Sequence, residues 1–244
     1  MQLNLPKAPA GLARLGGPSA VASFMRKTGA RFSARCSELR GCESGLAFVE
    51  FALSLPVLTT LVLVGLETAN LAMAHLRISN IAMLASDNAS RVRDSIDEAD
   101  VIELLTGAKM TGDSINFRNH GRIILSSIEP NTAGANGAST GQWIRWQRCD
   151  GAKVVTSNYG TQGTGQNNAS LQAVGPAGNQ ISASSGTAIM LVEVVYDYQP
   201  LVSSTIFGAR TIRYESAFNV RQRTNQAITN VNNVTPKNCT TYAP

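Results

Sequence analysis

Residues 46–66 read LAFVEFALSLPVLTTLVLVGL, a run of 21 that carries a single charge, Glu50. A helix of roughly 20 apolar residues crosses the hydrocarbon core of a bilayer, whereas the core helix of a soluble protein keeps a polar face over such a length. The pattern predicts a membrane-spanning helix. A cleaved secretory signal has an apolar region of only about 7–15 residues that ends at small residues. Here apolar positions continue past Glu67 into Ala69, Leu71 and Met73. Further on, Leu71, Ile78, Ile81, Met83, Leu84 and Ala85 recur at helical spacing, with Arg77, Asn80, Asp87 and Asn88 at polar positions, so one helix is predicted over 46–92. Pro56 falls inside it, removes one backbone donor and predicts a kink that neighbouring groups tolerate.

After residue 92 the period changes. Ser95-Ile96-Asp97-Glu98 has the form of a capping box that would open a short helix through Leu105, stopped by Gly107. Segments 122–129, 142–149, 188–199 and 211–221 are rich in β-branched and aromatic residues and predict strands. Val192, Val194 and Tyr196 alternate with Glu193, Val195 and Asp197, and Ile212, Tyr214, Ser216, Phe218 and Val220 set one face of the last strand. The short connection between these two strands fits antiparallel pairing. Segments 131–141 and 156–187 are rich in Gly, Asn, Ser, Thr and Gln and read as loops that bury little. The expected class is α+β: a long N-terminal transmembrane helix continuing into a small antiparallel sheet with long polar loops. The expected division is a basic leader over 1–45, the helix over 46–92 and an extracytoplasmic α+β domain over 93–244.

Charge sharpens this picture. The chain of 244 residues has a net charge of +5, which invites a nucleic-acid reading. Seven basic and two acidic residues precede Leu46, and the remaining 14 basic and 14 acidic residues cancel. A neutral body lacks the field that phosphate binding needs, so no nucleic-acid partner is expected. A basic flank ahead of an apolar span places that flank in the cytoplasm, and the domain after the span on the far side. Cys149 and Cys239 are the only cysteines beyond the span, and in an oxidising compartment they are expected to form a disulfide. Cys36 and Cys42 read as reduced thiols of the leader; Leu39-Arg40-Gly41-Cys42 fails as a lipoprotein site because no apolar stretch precedes it. Met25 begins a shorter and more ordinary leader, and residues 1–24, basic and free of acids, also mimic an organelle transit peptide.

Glu50 is the anomaly, because a carboxylate at the edge of hydrocarbon is expensive and rarely lacks a partner. If a peptidase cuts between Gly45 and Leu46, the new α-amine of Leu46 is a cation four residues before Glu50 on the same helix face. Among parallel helices, the amine of one chain meets the carboxylate of its neighbour and sets their axial register. Glu67 lies 17 positions past Glu50, about 25 Å along a helix. It reads either as a solvated residue at the opposite boundary or as a second pairing group.

Gly45, four mainly apolar residues, Glu50 and Phe51 resemble the processing site of type IV prepilin-like proteins. The longer run from Gly45 through Pro56, the leucine-rich stretch and Gly65-Leu66-Glu67 are similar to the TadE-like family, pseudopilins or minor pilins of the tight-adherence (Flp) pilus system. The resemblance covers residues 40–90 and returns at the C-terminal strands. It implies a bacterial inner-membrane protein with one span, a cytoplasmic N-terminus and a periplasmic domain. It also implies cleavage after Gly45 by a prepilin peptidase, and partners among membrane lipid, other pilins or pseudopilins and the assembly platform. Entry into the filament and assistance from outside it both fit. The runner-up is an uncleaved, anchored periplasmic domain that recruits a partner of a pilus or secretion machine.

Catalytic signals are absent from the sequence. His75 and His120 stand apart without a supporting motif, with His75 read as an interfacial residue. No metal-ligand cluster, G-x-S-x-G or P-loop occurs, and the Gly160–Gly165 run sits in a polar tract rather than between a strand and a helix. Trp143 and Trp146 read as sheet packing, with a carbohydrate platform as the sharper alternative. The expectation is a non-enzyme without cofactor, metal or small-molecule substrate.

Overall fold

The long apolar pattern folds as one helix, α1 (Ser44–Arg91), which runs through Pro56. The computed structural model describes residues 44–244 apart from Ala177, with Ser44, Thr205 and Ile206 by backbone alone. The expected leader, with Met25, Cys36 and Cys42, lies outside the described residues save for Ser44 and Gly45. The chain divides into two units, Met1–Val62 and Leu63–Pro244. In the first, every described residue belongs to α1.

In the second unit the rest of α1 is followed by β1 (Asp94–Asp97), α2 (Glu98–Thr111), α3 (Phe117–His120), β2 (Gly121–Pro130) and β3 (Gln142–Asp150). Then come β4 (Ile189–Tyr198), α4 (Ser204–Phe207), β5 (Arg210–Asn219) and β6 (Arg223–Thr229). The four predicted strands are β2, β3, β4 and β5, and they form an antiparallel sheet in the order β3-β2-β4-β5. The fold is α+β, one long apolar helix followed by a small antiparallel sheet.

Packing explains the order. On α1, Ala74, Ile78, Ile81, Ala82, Ala85 and Ala89 are buried on one side of the helix. They meet Ile123, Leu125, Met190, Val192, Val194, Tyr196 and Ile212, the residues that alternation sends to one face of the sheet. Four of the six helix positions are alanine, so the helix backbone approaches the strands closely.

The other face of the sheet is covered as well, which the composition of the loops did not predict. Ile128, Ile144, Ile189 and Leu191 pack with Leu171, Val174 and Ala183 from the polar tract between β3 and β4. Tyr159, from the same tract, packs against this cluster too. Glu193 and Val195, which alternate with the positions facing α1, are wholly buried as well. At Gly165 the backbone φ is +83°, and a Cβ would sit 2.1 Å from the Gln142 carbonyl oxygen. The glycine run is thus a strand cover: Ile144 N–H donates to Thr164 O (2.9 Å) and Gly163 N–H to Ile144 O (2.7 Å), closing the free edge of β3.

Two further expectations are corrected. The capping box begins at Asp97, not Ser95: the Asp97 carboxylate accepts from Ala99 N (3.1 Å), while Asp100 accepts from Asp97 N (3.0 Å). Helix α2 then passes through Gly107 and ends at Gly112, because nothing lies near Gly107 and a single glycine costs a helix only about 1 kcal/mol. The segment preceding the cap is β1, which pairs in parallel with β6, Ile96 opposite Ile228.

Candidate functional site

The junction residues all lie in α1. Every residue from 45 to 66 is exposed, and all but a few of them are apolar. Such a surface is unstable against water, and among the described residues α1 is the one helix long and apolar enough to cross a membrane. Its polar side chains turn inward on their own backbone: Ser54 Oγ donates to Phe51 O (3.0 Å) and Thr60 Oγ1 to Pro56 O (2.7 Å). This is how hydroxyls are satisfied where water is scarce. Pro56 deprives the Ala52 carbonyl of its helical donor.

Gly45 stands in the first turn, where a Cβ would touch nothing, so its helical backbone tolerates alanine. Leu46, Phe51 and Glu50 follow on the exposed surface. Among the described residues Glu50 has no hydrogen-bond or ion-pair partner, unlike Ser54 and Thr60 one to three turns on.

Glu67 corrects the expectation of a solvated boundary residue. It is 3% exposed, and its partners lie within its own chain. Tyr198 Oη donates to Oε1 at 2.6 Å, and the backbone amides of Leu201 and Val202 donate to Oε2, each at 3.0 Å. Asn70 Nδ2 donates in turn to Tyr198 Oη at 2.8 Å. Burial pushes the Glu67 carboxyl up, but the Tyr198 hydroxyl and the two amides outweigh it, and the net direction is below the ordinary value. Burial, together with the same contact, drives the Tyr198 phenol up to about 12. Glu67 clamps the turn of α1 just beyond the apolar run to the end of β4 and the loop after it. Sequence pattern held no sign of this, because the partners are a tyrosine and two backbone amides more than 130 positions away.

The disulfide is present: Cys149 on β3 bonds Cys239 in the C-terminal tail, closing a separation of 90 residues. The tail has further ties. Cys149 N–H donates to Lys237 O (2.8 Å), and buried Arg122 donates to the carbonyls of Cys239 (2.7 Å) and Thr241 (3.1 Å). The Tyr242 ring lies 4.0 Å from the Arg122 guanidinium.

Buried ion pairs that the sequence reading missed hold α2 to the sheet. Arg148 on β3 forks onto Glu98, the first residue of α2, and Lys109 near its end meets Asp150 at 3.0 Å, all four side chains being buried. Beneath the loop layer Glu193 accepts from Ser157, Asn158 N and Arg213, with burial still pushing its carboxyl up.

The remaining candidates are structural. His75 packs edge-on against Tyr214, ring centroids 5.9 Å apart, where α1 meets β5. His120 closes α3, far from it in sequence. Trp146 is core, its Nε1 donating to Gln226 O (3.1 Å), while Trp143 is only half-buried, so the two form no shared platform. A groove of about 470 Å³ against the disulfide, lined by Ile124, Val155, Cys149, Cys239 and Tyr242 among others, has no charged lining residue. No group of three or more metal-ligating side chains occurs among the described residues. The chain matches no protein-family model, no curated protein and no solved structure.

Proposed function

We propose that the chain is a single-pass inner-membrane pseudopilin of the TadE-like kind, cut after Gly45, that takes part in assembly of a tight-adherence pilus by helix–helix packing. One observation carries the reading: an apolar helical surface, exposed from residue 45 to 66, bears a single carboxylate five residues after Gly45. Lipid accounts for the apolar surface, and the α-amine created at Leu46 accounts for the carboxylate. In an array of parallel helices the amine of one copy reaches Glu50 of the next, where the low dielectric makes an unpaired charge costly and a matched pair register-setting. Prepilin peptidase is the partner this cleavage requires. The α+β unit, stapled by its disulfide as suits an oxidising periplasm, supplies contacts to other pilins and the assembly platform.

The mass of the mature N-terminus tests the reading. A terminus at Leu46, lost in Gly45→Ala and in a strain without the peptidase, is the expected result; the structure leaves room for that methyl group. A leader intact in the wild-type strain would overturn processing and favour an anchored scaffold that recruits its partner uncut. Separately, Glu50→Ala is expected to insert normally yet abolish piliation.

A further inference from the structure

The apolar surface of α1 does not stop where the bilayer does. Within the α+β unit the face of α1 turned away from the sheet carries Leu66, Ala69, Met73, Leu76, Asn80 and Met83. The spacing is three, four, three, four and three, the heptad of a helix seam. The four large apolar members are 49–62% exposed, and Ala69 and Asn80 are exposed as well. The opposite face is already committed to the sheet, so the helix cannot roll the stripe inward. Residues 46–65 fill a hydrocarbon core on their own, with Leu66 at its edge, so lipid cannot cover about 26 Å of further helix.

We infer that this stripe is a seam between two copies of this chain, packed in parallel outside the lipid. The inference rests on the membrane anchoring proposed above, because two helices that enter one bilayer from the same side are parallel and place equal residues at equal depth. Self-pairing is what the residue types favour. The stripe holds no charge, so like residues meet without repulsion; it ends before Asp87, which is already paired with Arg91 (2.7 Å) and Arg221 (3.1 Å). Its one polar member is Asn80, whose side chain bonds nothing among the described residues. An amide both donates and accepts, so Asn80 is satisfied by Asn80 of the other copy in register, and is buried against apolar side chains in any other register. A single asparagine in such a seam specifies alignment at some cost in stability.

Single cysteines in the full chain, with Cys36→Ser and Cys42→Ser, test this in native membranes under mild oxidation. Met73→Cys and Met83→Cys are expected to give a disulfide-linked dimer at about ten times the yield of Thr68→Cys, an exposed position on the same helix outside the stripe. Adding Leu76→Lys, which buries an unpaired charge in the seam, should reduce that yield about tenfold while the thermal unfolding of the α+β unit stays put. Equal yields at all three positions, no dimer, or a cross-link to a different protein would each overturn the seam. The N-terminal mass read from the same samples keeps the two ideas apart: Leu46 without a dimer sinks the seam alone, and a dimer with an intact leader sinks processing alone.

Discussion

One helix serves two surroundings, and its two halves show what each demands. Over residues 45–66 α1 is apolar all round and exposed all round. Over 74–89 it buries one face and shows the other, and its buried positions are mostly alanine. In the first half no residue is buried among the described residues. The second is written by contact, since Ala74, Ala82, Ala85 and Ala89 would be unremarkable helix formers without a sheet to approach. Glu67 sits between the halves and is clamped by Tyr198, Leu201 and Val202. Its neighbour in kind, Glu50, lies in the half without such partners. Two glutamates on one helix thus differ, one satisfied within the chain and one without a partner among the described residues.

The contrast predicts that damage to one half spares the other. Losing the disulfide is the largest expected effect: Cys239→Ser should destabilise the α+β unit by up to about 4–5 kcal/mol in the chain-entropy account, read by denaturant unfolding, with membrane insertion unchanged. Glu98→Ala, which strands buried Arg148, should cost about 3–5 kcal/mol in the same measurement. Leu58→Arg should do the reverse, lowering insertion by about 2.5–3.5 kcal/mol at mid-helix and leaving the unfolding of the α+β unit alone.

Glu67→Gln is the smallest and the most pointed, at about 1–3 kcal/mol, because a side-chain amide cannot accept from the same three donors as a carboxylate. Its pH dependence has a definite sign. The folded carboxyl titrates below its ordinary 4.5, so its contribution is complete above that pH and fades as the pH falls through the lowered value. The stability gap between wild type and Glu67→Gln should narrow on acidification; a gap that widens would refute the clamp. Glu193, which burial shifts the other way, is common to both proteins and cancels from the comparison.

What the sequence disclosed follows the same division. The apolar run, the long helix and the four sheet strands are legible because each is a local period, and their ends match the structure within one or two residues. The disulfide was legible because only two cysteines lie past the span. The β1–β6 pair was not: DSID and RTNQAIT are short and polar, and their pairing spans well over a hundred residues. The loop layer was missed because composition averages away Leu171, Val174 and Ala183, the three residues that matter. Glu67 was misread because its donors are backbone amides and a distant tyrosine, which leave no pattern near it.

The central claim is that residues 46–66 are solvated by lipid. Alkaline carbonate extraction of membranes carrying the full chain measures this directly. The account predicts that the protein stays with the membrane pellet and leaves it only in detergent. Recovery of folded, disulfide-bonded protein in the soluble fraction without detergent would contradict it.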